Sequence, residues 1–210
     1  AVSGSTTSGA CAGSTAAALS NMPGNSASSG LGIVACTYER HAGAILEILN
    51  DAIVHSTALY DYKPRTLDMM IPWFDAKAKG GFPVIGVEND EGTLMGFGSY
   101  GTFRAWPAYK YTVEHSIYVD GRCRRRGVGR RLLDELTRAA TARHLHVMIG
   151  GIDTTNAASI ALHEQCGFTA CGIVRHAGFK FGRWLDLAFY QKILGDERPG
   201  PLDEHGNPVA

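Results

Sequence analysis

Ser116-Ile117-Tyr118-Val119-Asp120-Gly121-Arg122-Cys123-Arg124-Arg125-Arg126-Gly127-Val128-Gly129-Arg130-Arg131-Leu132-Leu133-Asp134-Glu135-Leu136 holds three local patterns in succession. Ser116–Val119 closes a β-branched and aromatic run that starts at Tyr111, the signature of a strand. Leu132, Leu133, Leu136, Ala139 and Ala140 then recur at helical spacing and predict a helix from about Gly127 to Arg143. Between strand and helix lie Arg124, Arg125, Arg126, Gly127, Val128, Gly129 and Arg130. Backbone N–H groups at a helix N-terminus point at an anion, glycines let a bulky phosphate approach, and guanidinium groups add charged donors. The turn is therefore read as a seat for a polyphosphate ligand. It is not a P-loop, because G-x-x-x-x-G-K-[ST] is absent, and the dinucleotide fingerprint fails for want of its third glycine.

Upstream, Ile33–Cys36 reads as a strand, and Ala44, Ile45, Ile48, Leu49, Ala52 and Ile53 as the apolar face of a helix. Thr66 is expected to cap a second helix reaching about Ala78, stopped by Gly80-Gly81. Pro83–Val87 and Leu94–Phe103 form a hairpin about the turn Asn89–Gly92. Downstream come a strand over Val147–Ile152, a short helix capped by Asn156 and ending at Gly167, and strands over 168–175 and 184–193. The order β-α-α-β-β-β-α-β-α-β-β predicts an α+β domain with a mixed, mostly antiparallel sheet flanked by helices.

Composition bounds what this domain does. Twenty Lys+Arg offset twenty Asp+Glu, so no global field favours nucleic acid or an anionic membrane. No apolar run is long enough for a membrane span. Five cysteines without C-x-x-C spacing fit neither a disulfide framework nor a zinc site, His144-x-His146 is too isolated for a metal, and a cytoplasmic setting is expected. Residues 1–30 carry neither charge nor aromatic ring and read as a disordered tail, with 31–195 the folded domain and 196–210 a loose end.

Arg124-x-x-Gly127-x-Gly129 after a strand, followed by Asn156-x-x-Ser159-x-x-Leu162-His163-x-x-x-Gly167-Phe168, resembles the acetyl-CoA-binding core of the GNAT N-acetyltransferases. Thr112–Val119 (TVEHSIYV) and Gly178–Leu187 (GFKFGRWLDL) are similar to the phosphinothricin / methionine sulfone (sulfoximine) N-acetyltransferases within that superfamily. The resemblance implies a GNAT fold and acetyl transfer from acetyl-CoA, without a metal, to the α-amino group of a small amino-acid-like acceptor. It implies that the backbone of Ile117, Tyr118 and Val119 pairs with the pantetheine arm. Arg124, Arg125, Arg126, Gly127, Val128, Gly129 and Arg130 hold the pyrophosphate, and Asn156 contacts the cofactor or merely caps its helix. Glu114 is the implied base or a structural hydrogen-bond acceptor, with His115 a rival or a core histidine. His163 protonates the leaving thiolate or packs its helix. Arg104, Ala105 and Trp106, with Glu114, His115 and Ser116, face the acceptor, and Arg104 pairs with its carboxylate or makes a surface salt bridge. A homodimer is implied, and neither nucleic acid nor membrane is expected as a partner. Acetylation of a peptide N-terminus or a polyamine, and a non-catalytic polyanion-binding module, stand as alternatives.

Overall fold

A computed structural model describes residues 30–195. The expectations for the two tails, 1–29 and 196–210, lie outside the described residues. Seven strands form one sheet: β1 Leu31–Ala35, β2 Val84–Asn89, β3 Leu94–Thr102, β4 Thr112–Val119, β5 Val147–Asp153, β6 Thr169–Lys180 and β7 Arg183–Ile193. They lie in the order β1-β2-β3-β4-β5-β7-β6. All neighbours are antiparallel except β4 and β5, which run parallel. The helices are α1 Tyr38–His55, α2 Met70–Lys79, α3 Val128–Ala142 and α4 Ala157–Gln165. The element order read from the sequence is the order found.

Two differences have local causes. Thr66 makes no side-chain cap bond; Leu67–Met69 form a 3₁₀ turn instead, and α2 starts only at Met70. Pro72 explains this, since it cannot donate to a carbonyl four residues back and is tolerated in a first turn. Strand β6 runs past Arg175 to Lys180 because irregularities between Ala170/Gly172 and Val174/Gly178 absorb the residues that break simple alternation.

Each face of the sheet carries its own core. Ile45, Ile48 and Leu49 of α1 and Met70 of α2 pack with Val84, Leu94 and Phe97 on one side. Leu132, Leu133 and Leu136 of α3 pack with Val87, Met95, Val113 and Met148 on the other, with Ile160 and Leu162 of α4 at the margin. Helix α3 sits close over β3 because Gly98 has no side chain: a Cβ there would lie 2.8 Å from Leu136 Cδ1 and 2.9 Å from Ile117 Cγ2. This contact sets the height of the middle of α3 above β3.

Gly98→Val is expected to cost about 1–3 kcal/mol of stability through overpacking, read as a lower urea midpoint at unchanged m-value. An unchanged midpoint would mean that α3 is not clamped at this position.

Candidate active site

Strand β4 pairs with β5 only from Thr112↔Val147 to His115↔Gly150, and beyond this point the parallel strands separate. Their separation opens a cleft of about 270 Å³ lined by Glu114–Tyr118 of β4, Gly150–Asp153 of β5, Asn156, Ser159 and His163 of α4, Leu187 of β7 and Thr57–Tyr60 after α1. The β4 edge over Ser116–Val119 no longer faces a strand on that side, so its polar backbone groups are free for an extended ligand. A larger hollow, about 450 Å³, lies at the β2–β3 turn beside Asp90 and Glu91; of the predicted site residues only Arg126 reaches it.

At one end of the cleft, α3 begins with Gly127 in the left-handed region, φ 80°, and Arg125 shares that region at φ 61°. The first intrahelical bond is donated by Arg131 N–H to the Gly127 carbonyl, 3.1 Å, so the amides of Val128, Gly129 and Arg130 precede it and remain as donors. The arginines divide by role. Arg122 is held by Asp120, with Nη2 to Oδ2 at 2.6 Å, Arg130 lies 3.6 Å from Asp134, and Arg131 donates to the Leu31 carbonyl. Arg124, Arg125 and Arg126 have no ion pair among the described residues, which leaves their charge to an outside anion. Gly129 has a second duty: its absent Cβ would lie 3.0 Å from Leu162 Cδ2, so α3 touches α4 here. Asn156 caps α4 through Oδ1, which accepts from Ser159 N–H at 3.1 Å, and its Nδ2 takes no part in the cap.

Alternation along β4 buries Val113 and His115 against α3 and α4, whereas Glu114 points to the opposite face. Burial raises the Glu114 carboxyl above its ordinary range, and the Arg104 guanidinium partly offsets this. A Cβ on Gly151 would stand 3.3 Å from Glu114 Oε1, so the glycine leaves room beside the carboxylate. A proton acceptor of raised affinity at the edge of a cleft is what removal of a proton from an ammonium requires.

His115 and His163 stack with ring centroids 5.1 Å apart, and their Nε2 atoms are 3.2 Å apart. The Ser159 carbonyl only accepts, so His163 Nδ1, at 2.7 Å, carries the hydrogen of that bond. A neutral His163 then has a bare Nε2, and His115 Nε2–H donates to it. Burial, with His163 adding to it, pushes His115 down to about 3, and burial also lowers His163 despite the Ser159 bond. Both rings are neutral near pH 7, and His163 in this arrangement offers the cleft no free N–H.

The predicted site residues are thus gathered unevenly. Glu114, His115, Ser116, Ile117, Tyr118, Asn156 and His163 line one cleft. Val119 and residues 124–130 continue from it along the β4 edge and the turn. Arg104, Ala105 and Trp106 do not line it: Arg104 donates from Nη1 to the Phe103 carbonyl at 3.1 Å and reaches Glu114 by charge alone, and Trp106 is 74% exposed. Sequence reasoning missed the Thr57–Tyr60 loop, Gly150, Gly151, Asp153 and Leu187. The available signal was Gly150-Gly151 inside a strand, a mark of close backbone approach. Among the described residues no group of three or more metal-ligating side chains converges, and no helix is long and apolar enough to cross a membrane.

Known proteins resemble this chain in sequence and fold. The family model described as acetyltransferase (GNAT) family matches residues 44–168. The L-methionine sulfoximine/L-methionine sulfone acetyltransferase of Pseudomonas paraeruginosa is 43% identical over 157 residues, 75% of this chain and 91% of that protein. The phosphinothricin N-acetyltransferase of Streptomyces viridochromogenes is 33% identical, covering 75% of this chain and 84% of that one. The crystal structure of a GNAT superfamily phosphinothricin acetyltransferase from Sinorhizobium meliloti in complex with AcCoA superposes with a TM-score of 0.79 at 31% identity, covering 85% of this chain and 96% of that one. With its arginine- and glycine-rich turn, splayed strands and capped helix all inside the matched region, the chain belongs to the GNAT family of acetyltransferases.

Proposed function

We propose that this protein transfers acetyl from acetyl-CoA to the α-amino group of a small amino acid of the methionine sulfoximine, methionine sulfone or phosphinothricin type. The observation that carries this reading is the Glu114 carboxylate, raised by burial, standing over Gly151 where β4 and β5 part. The names of the relatives at 43% and 33% identity support the acceptor class.

The residues fit acetyl-CoA along its length. Donor amides at Val128–Arg130 with the unpaired Arg124–Arg126 suit a pyrophosphate, and the free β4 edge at Ile117–Val119 suits the amides of a pantetheine arm. Acetyl-CoA supplies an acyl group activated as a thioester. In this reading Glu114 takes a proton from the acceptor's ammonium so that the amine lone pair becomes available. Amide formation then releases the second amine proton, and the departing thiolate is protonated. His163, whose Nδ1 hydrogen is held by Ser159 and whose Nε2 faces His115, walls the cleft beside the reacting end. Arg104 holds the acceptor carboxylate in this reading and keeps Glu114 ionised over a wider pH range.

A homodimer belongs to the same proposal. Strand β6 is a sheet edge exposed along both faces from Thr169 to Arg175, with Ile173 57% and Val174 49% exposed. Unpaired edges of this kind invite a second chain. Free thiols at Cys36, Cys123, Cys166 and Cys171 support a reducing, cytoplasmic setting.

Glu114→Gln is expected to lower kcat by roughly 10²–10⁴-fold with acetyl-CoA affinity held; near-normal turnover across pH would remove Glu114 as the base. Arg104→Ala is expected to raise KM for carboxylate-bearing acceptors by about 10- to 100-fold relative to simple amines. Loss of this cation also lets the Glu114 carboxyl rise further, so the acid limb of kcat moves to higher pH; a stationary limb would separate the two residues. Ile173→Asp is expected to turn a dimer into a monomer by light scattering, and a wild-type monomer would dismiss the dimer.

A further inference from the structure

Lys180, at the end of β6, is a buried charge to which the reaction gives no task. It is 4% exposed, and a lysine is seldom buried so far unless its ammonium is satisfied. Its acceptors are two main-chain carbonyls: Nζ donates to the Ser56 oxygen at 2.9 Å and to the Leu59 oxygen at 2.6 Å. The Phe181 ring lies 5.0 Å from Nζ. Burial weakens the ammonium's hold on its proton, and the Asp61 charge partly restores it.

The position of those carbonyls gives the contact its meaning. Ser56 caps the C-terminus of α1, where the helix dipole favours a cation, and from there to Thr66 the chain forms neither helix nor strand. Within this irregular stretch Thr57–Tyr60 line the cleft, so that wall depends on ties to its surroundings. The β6–β7 hairpin supplies them. A Cβ on Gly178 would lie 2.8 Å from Tyr60 Cε2, and the Tyr62 hydroxyl donates to the Phe179 carbonyl at 2.7 Å. Phe181 and Gly182, at φ 51° and 72°, form the tight turn between the paired Lys180 and Arg183, so the ammonium stands on a rigid support.

This wall belongs to the Glu114 side of the cleft. Tyr118 packs on the core under α1 and α2, and strand alternation puts Ser116 and Glu114 on the same face. Asn156 and His163 come from α4, across the sheet. An acceptor with its amine at Glu114 therefore lies against Thr57–Tyr60, whereas a cofactor seated along the β4 edge and the start of α3 does not depend on that segment.

We propose that Lys180 is a positioning residue for the acceptor: its ammonium holds the Thr57–Tyr60 segment against the β6–β7 hairpin and so fixes the wall that grips the acceptor beside Glu114. This rests on the acetyl-transfer reading above. Removing the ammonium leaves the Ser56 and Leu59 carbonyls without their donor, and the segment gains by turning them towards water. Glu114 and the arginine- and glycine-rich turn keep their places, because neither lies in the segment. The loss falls on acceptor binding.

The test uses Lys180→Met, which keeps the stem without the charge, Lys180→Arg, which keeps charge and donors, and Gly178→Ala, which crowds Tyr60 and leaves Lys180 intact. Lys180→Met is expected to raise KM for L-methionine sulfoximine about 10-fold or more, the value of a lost hydrogen bond to a charged group, with kcat within about 3-fold and acetyl-CoA affinity by calorimetry unchanged. Lys180→Arg is expected to recover most of the loss. Amide exchange over residues 56–62 is expected to quicken about 10-fold in Lys180→Met while α3 keeps its protection. Unchanged KM or unchanged exchange over 56–62 in Lys180→Met overturns the proposal, as does an equal loss of acetyl-CoA affinity. Should Lys180→Met fail to fold, Gly178→Ala decides: a raised acceptor KM at constant acetyl-CoA affinity supports the wall, and an unchanged KM overturns it. Failure of the wild type to acetylate methionine sulfoximine, methionine sulfone or phosphinothricin strikes the acceptor reading, and exchange over 56–62 still decides whether Lys180 holds the segment.

Discussion

Hydrogen bonding between β4 and β5 stops at His115 and Gly150, and the strands have no partner in each other beyond that step. Crowding above Gly150 helps to explain the break. A Cβ at that position would lie 2.8 Å from His115 Nε2 and 3.1 Å from His163 Nε2, so the two imidazoles fill the space over the strand. One ring comes from β4 and the other from α4, and their mutual bond ties the helix to the strand at the apex of the cleft. The exposed β4 edge then continues to the turn that starts α3. Anion seat, free edge and carboxylate thus lie in sequence along a single strand and its exit.

Burial sets the charge states along this line. It drives the imidazoles neutral at the apex and raises the Glu114 carboxyl on the opposite face of the same strand. Strand alternation is what allows neighbours in the chain to be treated so differently: residue 115 enters the core beneath α4, while residue 114 faces a half-open space within reach of a cation. Burial also lowers Lys77 of α2 to about 8, its Nζ drawn in to donate to the Tyr100 carbonyl.

Much of this was legible in the sequence because it rests on local chemistry. The helical period from Leu132 to Ala140, the glycines of the turn and the Asn156 cap each follow from a few adjacent residues. The limits were also local: Pro72 delayed α2 past Thr66, and two irregularities lengthened β6. What the sequence could not yield were meetings across distance. Nothing in the order of residues places Thr57–Tyr60 beside Leu187, or brings Asp153 to line the same cleft as Glu114. Nor does the order of residues show that the Arg104 guanidinium rests 4.3 Å from the centre of the Phe103 ring.

The contact between Gly129 and Leu162 joins the start of α3, at the proposed anion seat, to the second half of α4, the helix capped by Asn156. The start of α3 cannot advance or retreat without moving α4, because the two helices meet here in a van der Waals contact. The pair acts as a gauge. In the proposed reading, a ligand gripped at its anionic end delivers its far end to one depth in the cleft, so acyl carriers with longer or shorter arms present their reactive carbon out of step with Glu114 even when their phosphates bind equally well.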